Sequence, residues 1–441
     1  MAITAATVMT RVSPDRLALW ALLVGPAATL AAADVAVDVG VAVSDNIGRA
    51  AQNEITDTLY SAGLQLSLSW MGRRSDAQLA GDLAYVRYDK GTFDPEIVGN
   101  LSGAAHLELV EDLLRWTVQD EFGQTRRNLL AAQTPDNRET VNFLSTGPDV
   151  ALRLGSVNSL QLRARYGLMD YQSSALSSQR YSLRAGFERS LSASSNVGVF
   201  VATERLDPTE GAGAEFDRRE AFLRVDLQGN RNKVEVDLGG TRIEGGARAE
   251  SALLVRANLS HQFSERATLS LSMGRQFADS GQTLATVRDG ELGRPSRETL
   301  TLARTTDPYL TNTAALSWQI SGRRTRIALG ANWLEEDPPG VVGDRKRFGY
   351  NFDVQRQLGP RLALGLQASY ADSRFSGGSN TDEYSATVSA NWSLSRRLSL
   401  VVDGKYDSYA AATGGPTAQE RQLWLRLRAG NLLGSRQRTD P

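Results

Sequence analysis

The sequence predicts an all-β fold: a single transmembrane antiparallel up-and-down β-barrel of about 20 strands, preceded by a signal peptide. Three observations predict it. From Val35 to Leu433 apolar and polar residues alternate with period two. Most alternating segments exceed ten residues, whereas strands in soluble sheets average about 5–6. Their connections alternate between short and long along the chain.

The first element is an address. Arg11 and Arg16 precede the apolar run Leu17–Val24; Gly25-Pro26 then breaks it, and Ala31-Ala32-Ala33 offers a small-residue cleavage site before Asp34. This is the n-region, h-region and cleavage pattern of a secretory signal. The run is short for a bilayer-spanning helix, although an uncleaved anchor is the alternative. The expected division is therefore 1–33 signal peptide, 34–433 barrel and 434–441 tail.

The strands follow. Val35, Val37, Val39, Val41 and Val43 alternate with Ala36, Asp38, Gly40, Ala42 and Ser44. Leu362, Leu364 and Leu366 alternate with Ala363, Gly365 and Gln367 in the same way. Successive side chains of a strand point to opposite faces, so each segment has one apolar and one polar face. The segments run near 35–45, 58–70, 76–88, 98–110, 113–124, 139–154, 158–172, 178–190, 195–206 and 217–228. They continue near 231–243, 248–262, 266–277, 308–321, 324–335, 347–358, 361–373, 380–394, 397–409 and 418–433. A tilted strand needs roughly 9–11 residues to cross the hydrocarbon layer. A soluble sandwich has no reason for such uniform length.

Connections come next. Gly72-Arg73-Arg74, Glu111-Asp112, Asn230-Arg231-Asn232, Gly322-Arg323 and Gly359-Pro360 are tight. Asp45–Asp57, Thr125–Arg138, Leu206–Asp217, Pro338–Lys346 and Ala410–Thr417 are longer. Short turns at one end and long loops at the other are the outer-membrane pattern. On this topology Trp70, Trp116, Trp318 and Trp392 fall at the short-turn rim, and Trp333, Tyr370 and Tyr384 at the opposite rim. Amphipathic rings at both headgroup boundaries are expected of a membrane barrel.

Composition limits the function. The 441 residues contain no cysteine, which excludes disulfides, thiolate metal sites and a cysteine nucleophile. A net charge of -1 argues against nucleic acid as a partner. Mean hydropathy is -0.31, against a helical membrane protein but compatible with strands polar on alternate residues. The expected partners are outer-membrane lipid, lipopolysaccharide and the barrel assembly machinery, with no cofactor.

The polar face should line the interior. It carries Arg153, Arg163, Arg165 and Arg184 from consecutive segments, with Arg224 and Arg256 further along. Asp38, Asp82, Asp237 and Asp403 are among its acids. A dry core could not hold so many ions, because each unpaired buried charge costs several kcal/mol. Arginine binds carboxylates and phosphates bidentately, so these residues are candidate anion contacts. The plainer reading is pairing with lumen acids in an arginine-rich chain that has only four lysines. The longest connection, Asp279–Asp307, carries Arg288, Arg294, Arg297 and Arg304, and is a candidate constriction loop or an outer cap. No plug is expected ahead of the first strand, which begins within a few residues of the expected cleavage site. The two histidines, His106 and His261, stand in no nucleophile or metal-ligand arrangement, so no enzyme chemistry is expected.

Three stretches carry a resemblance: Ser44-Asp45-Asn46-Ile47-Gly48-Arg49, Gln119-Asp120-Glu121-Phe122-Gly123-Gln124, and Asn137-Arg138-Glu139 with Phe143-Leu144-Ser145-Thr146-Gly147-Pro148-Asp149. They resemble a family of bacterial outer-membrane β-barrels associated with exopolysaccharide loci and exosortase (PEP-CTERM) sorting systems. The resemblance implies a role in polysaccharide or envelope export, and polysaccharide as a partner; it brings no functional residues. The chain departs from many outer-membrane barrels in ending without an aromatic residue, on Leu432-Leu433 and a polar tail. The expectation is a passive conduit in a Gram-negative outer membrane. Three forms of it are open: an export pore or accessory for exopolysaccharide, a general diffusion porin, and a scaffold with a blocked lumen.

Overall fold

The computed structural model describes residues 29–172, 176–209, 214–245, 248–279, 307–338, 344–411 and 417–430. Twenty strands are described. The first five are β1 (Thr29–Ser44), β2 (Asp57–Met71), β3 (Ser75–Tyr88), β4 (Glu96–Val110) and β5 (Leu114–Arg126). Then come β6 (Arg138–Arg153), β7 (Asn158–Tyr171), β8 (Ser178–Ser192), β9 (Ser195–Pro208) and β10 (Phe216–Gln228). The next five are β11 (Asn232–Gly245), β12 (Arg248–Ser264), β13 (Ala267–Ala278), β14 (Tyr309–Ser321) and β15 (Thr325–Glu336). The last are β16 (Arg345–Gln357), β17 (Leu362–Phe375), β18 (Asn380–Ser393), β19 (Leu398–Ala411) and β20 (Thr417–Gly430).

Each strand pairs antiparallel with its sequence neighbours, and β1 closes the ring on β20, with Val37 opposite Ala429 and Ser44 opposite Gln422. The fold is a closed twenty-stranded antiparallel barrel of the outer-membrane kind. Closure satisfies every edge, the only way a sheet can sit in hydrocarbon. The strands span 12 to 17 residues, enough to cross the apolar layer and project beyond it.

Burial is inverted relative to a soluble protein. Val39, Val199 and Leu423 are 59%, 58% and 61% exposed on the outer face, while Asp38, Asp237 and Glu420 on the inner face are each 2% exposed. Apolar rows so exposed belong against lipid. Asp237 is shielded by Arg224 and Arg256 of the flanking strands, and Glu420 by Arg49 of the 45–56 connection, rather than by an apolar core.

β1 starts earlier than its alternation suggests: Leu30 already pairs with Trp70 and Ala33 with Leu68. The expected cleavage point after Ala33 thus falls inside this strand, and the pairs from Asp34↔Ser67 to Ser44↔Asp57 lie beyond it. The apolar signal core lies outside the described residues, as do Leu433 and the tail.

The lumen is narrowed at the long-loop end, from connections that the sequence presented as outer loops. Ile47, in the 45–56 connection, packs on the inward-facing Leu59, Ala84, Val86 and Tyr88, with Phe93 and Trp424 against the same cluster. Asn46 fixes this fold: its side chain donates to the carbonyls of Ala50 and Gln419 at 2.7 and 2.8 Å. Arg49 then bonds Asp407 at 2.5 Å and Glu420 at 2.8 Å. Burial opposes its charge, but the two carboxylates outweigh it and hold the guanidinium above its ordinary pKa.

The 127–137 connection also turns inward. Asn137 organises it, accepting from the Asn128 amide and donating to the Asn128 and Ala132 carbonyls. Its middle reaches across to β19, where Tyr409 donates to the Leu130 carbonyl at 2.5 Å. The 45–56 and 127–137 connections together narrow the mouth.

Candidate functional site

The inner face of β5–β12 is the basic wall. Asp149 on β6 is its first organiser. It accepts from Arg163 Nε at 2.7 Å, from Arg165 Nη2 at 2.7 and 2.8 Å, and from Thr117 Oγ1 at 2.7 Å. Arg165 gives its other terminal nitrogen to the carbonyls of Pro148 and Ala164. Its guanidinium is thus committed, whereas Arg163 spends only Nε on the carboxylate. His106 joins through Thr117 at 3.1 Å.

The next part of the wall rests on phenylalanines. Phe200 of β9 and Phe222 of β10 face inward and stack at 5.4 Å with planes 12° apart. Glycine makes the room: a Cβ on Gly186 or Gly198 would run into the Phe200 ring. The ring can therefore lie flat on the wall, an aromatic covering a glycine across the strand pair. Above it stand Arg184 at 5.5 Å from the Phe222 centroid, Arg224 at 5.3 Å from Phe200, and Arg256 at 5.0 Å from Phe222. Cations over ring faces are attracted by the quadrupole, and the platform fixes guanidinium groups that would otherwise sway in water.

The three differ in their partners. Arg224 forms two bonds to Asp237, at 2.7 and 2.8 Å. Arg256 bonds Glu220 at 2.9 Å and lies 3.2 Å from Asp237. Among the described residues Arg184 makes no ion pair. Arg256, Arg163 and Arg224 lie close enough to repel it, and Glu220 to attract it.

A recess of about 350 Å³ opens here, lined by His106, Arg115, Asp149, Arg163, Arg165 and Arg184 together with Thr117, Gln119, Ser145 and Ser182. A second of about 200 Å³ shares Arg163, Arg165 and Arg184 with it and continues to Arg180, Glu204 and Arg218 nearer the loops. Basic groups thus line the wall along much of its height.

The sequence-selected residues fall into three groups. Arg163, Arg165 and Arg184 come together. Arg224 and Arg256 stand on the same wall but are neutralised. Arg153 does not join them: as the last residue of β6 it projects at the turn, 70% exposed, 3.3 Å from Asp112. β6 ends at this residue, so Arg153 stands at the turn and away from the recess. Arg288, Arg294, Arg297 and Arg304 lie outside the described residues; the first residue of that connection, Asp279, is buried against Arg180. Arg115, Arg180 and Arg218 were missed, although their strand positions share the inward parity of Thr117, Ser182 and Glu220.

Trp70, Trp116, Trp318 and Trp392 stand beside the 72–74, 111–113, 322–324 and 394–397 turns. Trp116 donates to Thr146 Oγ1 at 2.9 Å. At the other end Tyr370 pairs with Tyr350 and Tyr384 in register and donates to Asp382 at 2.8 Å, and Trp333 lies opposite Phe348.

Residues 307–431 match the model of a protein family described as "Putative beta-barrel porin 2". No curated protein matches the chain. Solved structures similar to it include the siderophore receptor PirA from Pseudomonas aeruginosa, at 12% identity, TM-score 0.40, covering 90% of this chain and 80% of that one. The FrpB iron transporter from Neisseria meningitidis (F5-1 variant) matches at 10% identity, TM-score 0.44, with 90% and 82% coverage. The alcaligin outer-membrane receptor FauA from Bordetella pertussis matches at 10% identity, TM-score 0.39, with 90% and 75% coverage.

Proposed function

We propose that the protein is a porin-like conduit of the Gram-negative outer membrane, exported by its N-terminal signal, that passes anionic solutes passively along the β5–β12 wall. One observation carries this reading. The larger recess sets four arginines, Arg115, Arg163, Arg165 and Arg184, against the single carboxylate of Asp149. Structural ion pairing would bring the two signs towards balance, whereas an anion path needs a surplus of positive charge.

Reversal potentials across planar bilayers test it. Neutralising Arg163 and Arg165 together is expected to lower the anion preference. If the preference does not move, these arginines serve local ion pairing and the reading fails.

Exopolysaccharide export is the finer form of the proposal. It rests on the resemblance of residues 44–49 and 119–149, and on basic groups that continue from the first recess into the second. Normal polymer secretion by a deletion strain would remove it and leave a diffusion porin for small anions.

A second reading has its own observation. The 45–56 and 127–137 connections cross part of the mouth and are anchored by charge and packing, which suits a non-conducting envelope scaffold. Absence of current from the purified barrel would select it.

A further inference from the structure

We infer that the larger recess is a saturable binding site for a multiply charged oxyanion, a phosphate group being the match in charge and shape. The inference rests on the conduit reading for its biological use, but the binding itself does not require conduction.

The argument starts from which nitrogens are already engaged. Arg165 is tied to Asp149 and to two backbone carbonyls. Arg163 is tied through Nε alone, so its terminal nitrogens remain for the lumen. Among the described residues Arg115 and Arg184 have no ion pair. Two whole guanidinium groups and the outer edge of a third therefore line one space. Three positive charges remain after Asp149 is counted.

Such an arrangement is costly when empty, because like charges held together in a partly desolvated wall repel. It becomes favourable when an anion of similar charge enters. A phosphate monoester carries about -1.5 to -2 near neutral pH and three strong acceptor oxygens, and inorganic phosphate likewise carries more than the one charge of chloride. Guanidinium forks match its oxygens in pairs. Ser145 and Ser182 supply hydroxyl donors on the same lining. At about 350 Å³ the space lies within the usual range of small-molecule sites, so the phosphate can carry a small organic group.

Orientation is built in as well. Arg184 lies over Phe222, itself stacked on Phe200 above Gly186 and Gly198. The guanidinium is thus held at the wall before a ligand arrives, which reduces the ordering cost of binding.

The test uses the detergent-purified full chain and inorganic phosphate, titrated calorimetrically and as a blocker of chloride current, with acetate as the comparator. Phosphate is expected to bind with a defined stoichiometry and to saturate the current; acetate is expected to do neither over the same range. Arg184→Gln and Arg115→Gln should each weaken phosphate about tenfold, the loss of one charge-assisted hydrogen bond. Arg184→Lys should weaken it less, since charge is kept and the fork is lost. Heat-modifiable electrophoretic mobility of each variant shows that the barrel has closed.

Phosphate that binds no better than acetate, or binds equally well to both glutamine variants, overturns the inference. Anion preference without phosphate saturation removes the site and leaves the conduit. Phosphate binding in a barrel that carries no current removes the conduit and leaves the site.

Discussion

Arg126, the last residue of β5, and Glu383 on β18 form a two-bond ion pair across the lumen, with Nη2–Oε2 at 2.7 Å. Around the wall, β19, β20, β1, β2, β3 and β4 lie between the two strands, so the pair is a strut and not a ladder contact. It anchors the start of the 127–137 connection, and Tyr409 anchors its middle.

Removing the strut should open the mouth. Arg126→Ala leaves Glu383 without its main partner, at a cost of about 3 kcal/mol for breaking a shielded ion pair. Urea unfolding in detergent is expected to move to lower concentration while single-channel conductance increases. Unchanged conductance would mean that this connection does not obstruct the path.

Tyr409→Phe tests the second anchor. It removes only the hydroxyl that donates to the Leu130 carbonyl. Trypsin cleavage after Arg127 is expected to accelerate about fivefold, for a hydrogen bond contributing about 1 kcal/mol. An unaltered rate would place the hold on this loop in Asn137 and Arg126 instead.

Gly186→Ala should displace the Phe200 ring, since the new Cβ overlaps it. Overpacking of this kind costs about 2 kcal/mol. Combining it with Phe200→Ala should cost less than the two single changes added together, because the collision is gone. Additive losses would show that the glycine is not there for the ring.

One pH effect has a definite sign. Asp337, outside the strands, is held above the usual carboxylate range, first by its hydrogen bond with Asp344 and then by burial. A carboxyl whose pKa is raised on folding stabilises the folded form below its unfolded value of about 3.9, and that contribution fades as pH rises through the raised value. The contact should thus be firm in acid and loose at neutral pH. In carboxyl-labelled NMR titrations Asp344→Asn should return Asp337 towards its ordinary midpoint; an unmoved midpoint would assign the shift to burial alone.

The strands were legible because lipid outside and charge inside impose period two on almost every segment, and tight turns punctuate it. β1 begins at Thr29, earlier than its alternation suggests, because Thr29–Ala33 lacks alternation and resembles the end of a signal. The convergence of Arg163, Arg165 and Arg184 was legible from parity and strand order, since neighbouring strands share a face. The Arg126–Glu383 strut was not: no local period encodes which distant strand a loop will meet once the ring has closed. Likewise, Ile47 and Phe93 stand among polar neighbours that read as an outer loop, and only the closed wall gives them an apolar surface.

The pairing of β1 with β20 sets a timetable for biogenesis. The first ribbon synthesised has its final neighbour in the last one, so a nascent chain carries two open edges throughout its passage to the membrane. Exposed edges recruit other chains, and contacts between such remote segments form slowly. Loss of the final hairpin by a late stop codon would therefore leave aggregated or degraded polypeptide rather than a slightly smaller cylinder.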